Sequence, residues 1–428
     1  MIIGTITPLQ DPRFYLPRVV DPVLSSLLGA VGAVAIEGPK ACGKTRTAEQ
    51  VAASSVRLDV DANVRQAAMV DPALALGGPV PRLIDEWQIV PGIWNAVRRL
   101  VDERGEPGQF VLTGSAVPAD DETRHTGAGR MARLRMRPMS LHEAGLSTGE
   151  VSLSGLLAGE KVAVGDPGLT IPDLATEIAH GGWPASRKLD AEAAQLGVRG
   201  YLDEVRTADV ASVDGVKRDP ERVARLLRSI ARNVATEAAL TVLAADTGGP
   251  EGAIKPHTAG EYLDALRRLF VVEEQPAWSP HMRSRNQLRR SPKLHFTDPS
   301  LAVAALRGSA AALLSDLNYL GLLFESLVVR DLRIYGHACD AEVFHYRDNK
   351  GYEADAVVQA ADGRWAAFEV KLGGELIEMG AESLKRFSNQ IDTSKSGEPS
   401  ALGVIVGAGY GYTREDGVQV LPIAALGP

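Results

Sequence analysis

The stretch AVAIEGPKACGKTRTAEQVAAS, residues 33–54, runs from small and β-branched apolar residues through a glycine-rich loop into helix-forming residues. Strand, loop and helix in that order admit few folds. The spacing Gly38-x4-Gly43-Lys44-Thr45 is that of a Walker A loop. Its glycines let backbone amides curl around phosphates, and the helix N-terminus that follows adds a favourable dipole. Lys44 is placed to reach β- and γ-phosphates, and the Thr45 hydroxyl to ligate Mg2+. Gly38, Pro39, Lys40, Ala41, Cys42, Gly43, Lys44, Thr45 and Arg46 are therefore candidate nucleotide contacts. Cys42 is expected to lie against the phosphates. A chance glycine turn lacks this strand-loop-helix context, so the expectation is an α/β fold built on a parallel sheet.

Such a loop needs an acidic partner. PRLIDEWQ, residues 81–88, reads as a second buried strand ending in Asp85-Glu86. In a Walker B role Asp85 holds Mg2+ through water, and Glu86 orients or polarises the attacking water. A third strand, QFVLTGSA (109–116), follows the helical PGIWNAVRRLVDERG. It ends at Thr113 and Ser115, where a polar sensor could touch the γ-phosphate; the alternative is an ordinary helix cap.

GPKACGKT, LIDEWQ, FVLTGSA and GRMARLRMRPMSLHEAG, in this order, resemble a bacterial and archaeal AAA-type ATPase family with a C-terminal region of undefined function. The resemblance runs from YLPRVVD to the C-terminal strands and is strongest over the first three motifs. It implies a P-loop core, ATP rather than GTP, and Mg2+. Arginines 124, 130, 133, 135 and 137 cluster after the sensor strand. One of them could serve as an arginine finger, in cis or from a neighbour, and Arg130 is the choice; a solvated basic strand is the other reading.

Length and composition bound the rest. At 428 residues the chain exceeds one typical core. A net charge of -8 gives no global nucleic-acid signature, although local basic patches remain open. Two distant cysteines offer no metal-ligand spacing and fit a reducing cytoplasm. No apolar run is long enough for a membrane span, and the N-terminus lacks a leader pattern, so a cytoplasmic location is expected. Three domains are expected: the P-loop ATPase core over 1–145, a largely helical region over 146–310, and a second α/β region over 311–428. The turn-rich segment 146–170 marks the first boundary.

In the middle region TIPDLATEIAHGGWPASR and the helices after it carry apolar residues at helical spacing, which is scaffold. HTAGEYLDALRRLFVVEEQPAW (257–278) reads as a helix opened by a Thr258–Glu261 capping box, then a strand. The loop SPHMRSRNQLRRSP and the strand KLHFTD follow. Helix, strand, loop and strand suggest a winged helix. Arg283, Arg285, Arg289, Arg290 and Lys293 could track a phosphate backbone, or simply solvate the loop.

The last region raises a sharper question. In the helix GLLFESLVVRDLRIYG, Glu325 falls within an apolar stripe, which is costly unless it is paired or metal-bound. In GYEADAVVQAADGRWAAFEVK (351–371), alternation puts Glu369 and Lys371 on one strand face and Asp355 on the preceding strand. A strict two-residue Asp362-Gly363 turn would set Asp355 opposite Val370, away from Glu369; a shared site needs an odd-length loop or a bulge. Helix glutamate, strand aspartate, then Glu-x-Lys resembles the restriction-endonuclease-like PD-(D/E)xK group. That resemblance implies Mg2+ or Mn2+ held by Asp355 and Glu369, with Glu325 completing the site. It also implies that Lys371 orients water and stabilises transition-state charge. A structural salt-bridge cluster is the alternative, and such domains can bind without cutting. The expectation is an ATPase coupled to a nuclease-like domain acting on nucleic acid, DNA before RNA, with a protein partner or a second copy of the chain also admitted. The rival is a regulatory ATP switch with an inert C-terminal domain.

Overall fold

The computed structural model describes residues 15–117, 127–280 and 291–428. The chain gathers into two compact units. The first comprises residues up to Arg137 with two short returns, Val213–Gly215 and Arg268–Phe270; the second holds the remainder.

In the first unit the elements are α1 (Val20–Ala30), β1 (Ala33–Glu37), α2 (Lys44–Glu49), β2 (Ser54–Arg57), α3 (Ala62–Val70), β3 (Arg82–Asp85), α4 (Gly92–Arg104), β4 (Phe110–Gly114) and β5 (Met131–Arg135). All five strands are parallel, in the order β2-β3-β4-β1-β5. A parallel sheet of this kind is covered on both faces, and the side chains divide accordingly. Val34 and Ile36 pack with Val20, Leu24 and Leu28 of α1. Ala33 and Ala35, one position out of phase, pack with Trp94, Val97 and Val101 of α4. Strand period 2 thus sends one residue set to each helical layer. α4 ends at Gly105, whose positive φ of 68° supplies the left-handed helix stop that a residue with Cβ adopts at a cost.

The second unit opens with β6 (Val151–Ser152), α5 (Leu153–Leu157) and β7 (Ala163–Val164). The helices α6 (Ile171–His180), α7 (Ala191–Glu204), α8 (Val210–Ser212), α9 (Pro220–Arg232), α10 (Leu240–Gly248) and α11 (Pro256–Arg268) follow. Next come β8 (Val272–Gln275), β9 (Lys293–Phe296), α12 (Pro299–Ala305), α13 (Ala310–Leu314) and α14 (Leu317–Gly336). The chain closes with β10 (Ala341–Arg347), β11 (Glu353–Ala360), β12 (Trp365–Lys371), α15 (Ile377–Ser388), α16 (Thr393–Ser396), β13 (Ala401–Val406), β14 (Gly411–Thr413), β15 (Gln419–Pro422) and β16 (Leu426–Gly427). Seven strands form a mixed sheet in the order β10-β11-β12-β13-β15-β14-β7. β10, β11 and β12 are antiparallel neighbours; α15 is the crossover that lets β13 run parallel to β12. One face packs Trp278, Tyr346, Trp365 and Phe387 into an aromatic cluster, the two indoles 4.7 Å apart.

Two sequence expectations change here. The segment 146–170, read as a boundary from its turn residues, is sheet material: β7 pairs with β14 and β6 with β16. Strands of two residues are too short to show periodicity, so turn residues dominated the reading. α11 starts at Pro256, so Thr258 and Glu261 lie inside the helix and do not form its opening cap. Proline is well placed at that first position, because its missing N–H would be unpaired there anyway.

The GGWP turn is scaffold. Asp298 accepts from the Gly182 amide (3.0 Å) and from Arg330 Nη1 (2.7 Å), while Arg330 also pairs with Asp331 at 2.8 Å. A Cβ on Gly182 would lie 2.2 Å from the Met139 carbonyl oxygen, so the turn tolerates no side chain there. These charges are fully buried and mutually paired, the condition under which burial is tolerated.

Candidate functional site

The phosphate loop sits between β1 and α2. Ala41 and Gly43 adopt positive φ (63° and 105°), folding the loop back over its own carbonyls. Lys44 is buried, and its Nζ donates to the carbonyls of Gly38 (2.9 Å) and Pro39 (2.7 Å). A Cβ at Gly38 would lie 2.1 Å from the Met136 carbonyl oxygen, so the loop's first glycine is a packing requirement. Lys40 and Arg46 are exposed, and Arg46 pairs with Glu49 at 3.2 Å. Cys42 departs from expectation: it is fully buried, and its Sγ faces the Met136 carbonyl at 3.9 Å. It contributes backbone to the loop, and its thiol lies in the interior.

Asp85 lies at the end of β3. Its Oδ1 accepts from Thr45 Oγ1 at 2.8 Å and from Thr113 Oγ1. Burial raises this carboxyl above its ordinary range, with the two hydroxyls opposing the shift. Glu86 follows with φ 53° and accepts from Ser115 Oγ (2.9 Å) and from the Gln88 amide. Asp85, Glu86, Thr45, Thr113 and Ser115 therefore meet at the C-terminal ends of the parallel strands. Sequence reasoning missed Gln88, and also Arg18 and Tyr15. Arg18 Nη1 donates to the Cys42 carbonyl at 2.8 Å and Nη2 to the Arg137 carbonyl at 2.7 Å. The Tyr15 hydroxyl bonds Asp21 (2.7 Å) and Thr47 (2.9 Å). Both belong to a segment without strand or helix periodicity, which gave no signal.

Arg130 lies elsewhere. β5 is parallel to β1 with Met131 beside Ala33 and Arg135 beside Glu37, and the Ala33 amide donates to the Arg130 carbonyl. Arg130 is thus at the opposite end of the strand from the loop, roughly 17 Å away at about 3.3 Å per residue. Its guanidinium pairs with Asp102. A finger in cis is excluded by the length of the sheet; delivery to a neighbouring copy is the form of that expectation the sheet permits.

The second cluster forms within the second unit. β11 pairs with β12 through Ala356↔Phe368 and Gln359↔Trp365, so the register continued by one residue sets Asp355 opposite Glu369. The connecting loop is three residues, Ala361 to Gly363, closed by Ala360 and Arg364 at 2.9 Å, with Gly363 at φ 91°. This is the odd-length loop that a shared site requires. Lys371 Nζ lies 2.5 Å from Glu369 Oε2 and 3.9 Å from Asp355 Oδ2. Glu325 of α14 reaches the same place, but through an unexpected partner. Lys293 Nζ sits 2.6 Å from Glu325 Oε1 and 3.6 Å from Asp355 Oδ1. Ser383 Oγ donates to Glu369 Oε1 (3.1 Å) and the Val370 amide to Asp355 Oδ2 (2.8 Å).

In sequence Lys293 belongs to a basic run that could track a phosphate backbone or simply be solvated. The structure places it in the centre of the carboxylates, on β9, where it is the residue the sequence analysis most clearly missed. Arg124, Arg283, Arg285, Arg289 and Arg290 lie outside the described residues. Burial pushes Glu369 up to about 8, with Asp355 adding to the rise and Lys371 opposing it. Burial likewise pushes Glu325 to about 7 against the opposing Lys293 ammonium. Burial alone would lower Lys293, but Glu325 and Asp355 more than offset it and hold the ammonium charged. Three acids and two ammoniums carry a formal charge of -1 when all are ionised. Among the described residues no group of three or more His, Cys, Asp or Glu is spaced to hold a metal ion.

Residues 31–145 match a family model described as an AAA domain. Residues 171–312 and 320–426 match two models, each described as a domain of unknown function. Two curated relatives are the uncharacterized proteins Rv2008c of Mycobacterium tuberculosis and Mb2031c of Mycobacterium bovis. Each is 27% identical over 345 residues, covering 79% of this chain and 70% of the relative. Among solved structures, the Walker-type ATPase PABY2304 of Pyrococcus abyssi aligns over 70% of this chain and 99% of that chain, at 13% identity and a TM-score of 0.45. Drosophila ORC bound to DNA aligns over 71% and 89%, at 15% identity and a TM-score of 0.19. Both scores are too low to transfer a fold or a role. The AAA match and the loop geometry together support a P-loop AAA-type ATPase domain, a type that uses ATP with Mg2+. Among the described residues no helix is long and apolar enough to cross a membrane.

Proposed function

We propose that the chain hydrolyses ATP in its first unit and that this controls a metal-dependent, nuclease-like site in its second unit, acting on nucleic acid, DNA before RNA. Gly38 to Arg46 cradle the phosphates, and Lys44 leaves the Gly38 and Pro39 carbonyls to bind β- and γ-oxygens. Thr45 and Asp85, joined at 2.8 Å, would hold Mg2+, Thr45 by its hydroxyl and Asp85 through water. Glu86, fixed by Ser115 and Gln88, polarises the attacking water, and Thr113 ties the sensor strand to Asp85.

One observation carries the second half: Asp355 and Glu369 face each other across a strand pair, with the Lys371 ammonium within reach of both. Glu325, Asp355 and Glu369 are hard oxygen donors of the kind Mg2+ or Mn2+ takes; they are not spaced around an ion here, and would have to draw together as Lys293 leaves to hold one. A cation there supplies the Lewis acid for phosphodiester cleavage. Lys371 orients the water, and Lys293 yields its position among the carboxylates. Purified chain with Mg2+ or Mn2+ should cut labelled DNA, ATP should change the rate, and Asp355→Ala should remove cleavage. Equal products from wild type and Asp355→Ala would refute the reading.

A second reading rests on Lys293, which already neutralises Glu325. In it the cluster is inert and the chain is an ATP-dependent regulatory switch. The α11–β8–β9 segment then serves as a winged helix that binds DNA or protein. Unaltered metal-free and metal-loaded behaviour, with ATP-dependent nucleic-acid binding, would favour it.

A further inference from the structure

Within the second unit, α7, α9 and α12 line a half-open cleft of about 530 Å3, a volume usual for small-ligand sites. Its floor is apolar, formed by the buried Leu202, Leu227 and Ala304. Four arginines line it: Arg199, Arg206, Arg228 and Arg307. Asp203 is the one acid, and it is engaged by Arg206 at 3.0 Å. Arg206 is further held by Glu221 at 2.9 Å. Arg228 and Arg307 are exposed, and among the described residues neither has an ion-pair partner. Arg199 donates to the Gly308 carbonyl at 3.3 Å, leaving its buried Nε without a hydrogen bond among the described residues.

A π-helical turn and a helix stop meet at this cavity. Residues Val205–Asp209 form a π-helical turn at the end of α7, which turns Arg206 toward the lining. Arg307 has φ 54° as the left-handed stop of α12: its amide donates to the Ala304 carbonyl (3.0 Å) and the Gly308 amide to the Val303 carbonyl (2.8 Å), which fixes where its side chain leaves the helix end. Single π-helical turns are frequent at functional sites.

We propose that this cavity binds a phosphorylated small molecule of mononucleotide size. The apolar floor takes the organic portion, and Arg228 and Arg307, supported by Arg199, take the phosphate as charge-assisted hydrogen bonds. A recessed apolar floor under a cationic rim favours a discrete ligand over a nucleic-acid backbone, which a continuous basic stripe would serve better. The site is separate from the phosphate loop and from the carboxylate cluster, and it does not depend on the function proposed for either.

Calorimetric titration of the full chain carrying Lys44→Ala, so that the phosphate loop does not compete, tests this with AMP, adenosine and inorganic pyrophosphate. AMP should bind saturably, adenosine should bind at least tenfold more weakly, and Arg228→Ala with Arg307→Ala should weaken AMP at least tenfold. The melting temperature without ligand should stay unchanged, since both arginines are exposed. Raising salt should weaken AMP in the parent and have less effect in the double variant. Equal AMP affinity in parent and double variant overturns the proposal, as does the absence of saturable binding by AMP and pyrophosphate. A single-stranded oligonucleotide that loses affinity in the double variant, while AMP fails to bind, would assign the arginines to nucleic acid and also overturn it.

Discussion

The two ionic centres use lysine in opposite ways. Lys44 in the phosphate loop rests on two neutral carbonyls, so its charge is uncompensated and awaits an anion. Lys293 and Lys371 rest on carboxylates, so their centre is nearly neutral on its own. An anion enters the first site by replacing weak dipole partners. On the reading proposed above, a cation would enter the second by displacing an ammonium from a buried carboxylate, a costlier exchange. The first site is thus poised for its ligand. The second stores its charges in pairs.

The largest effect expected from this contrast is at Lys293. Lys293→Met leaves Glu325 and Asp355 buried without that ammonium, and breaking a buried pair from one side costs about 3–5 kcal/mol. Thermal unfolding without metal should show that loss, and Mn2+ should restore most of it. Loss without rescue would indicate a purely structural pair. Lys44→Ala comes next. It removes the phosphate-binding charge and should weaken binding of a fluorescent ATP analogue by about a hundredfold or more, roughly 2.7 kcal/mol. Its metal-free melting should change less than that of Lys293→Met, because Lys44 has no charged partner to orphan. Glu86→Gln should keep ATP binding and slow turnover by about a hundredfold, measured as phosphate release.

The pH dependence should also separate the centres. Burial raises the folded-state carboxyls of Glu325 and Glu369 from the ordinary 4.5 to about 7 and about 8. The native chain then retains protons that the unfolded chain releases, so stability decreases as pH rises through that window. The slope is at most about 1.4 kcal/mol per pH unit for each group. Glu369→Gln should flatten the fall in melting temperature between about pH 5 and pH 8. A profile unchanged by that substitution would place the titration elsewhere. Smallest of all is Arg130→Ala. It lies across the sheet from the loop, and its partner Asp102 is partly exposed, so stability should change by less than about 1 kcal/mol. Turnover at high dilution should be unchanged; a drop there would require the residue to reach the nucleotide in cis.

The same contrast explains what the sequence disclosed. The phosphate loop is contiguous, and its partners Asp85 and Thr113 end strands whose apolar runs are unmistakable. All of them could be located by strand, loop and helix order. The Asp355–Glu369 pairing depended on one loop residue, and alternation alone could state the condition without deciding it. Lys293 was hidden because its neighbours in sequence are arginines and its neighbours in space come from α14 and β11. A basic run and a buried counter-ion look alike until register is known. Arg130 was misplaced for a related reason: a motif's order says nothing about which end of a parallel strand its residues occupy. Segment 146–170 joined the sheet through two-residue strands, below the length at which alternation can be read.

The central claim is that the carboxylate–lysine cluster takes a divalent cation independently of the nucleotide site. Calorimetric titration of Mn2+ into the nucleotide-free full chain tests it most directly, with Asp355→Ala and Lys44→Ala alongside. The account predicts saturable binding in wild type and in Lys44→Ala, abolished in Asp355→Ala. Titrations of Asp355→Ala and wild type that superimpose would contradict it.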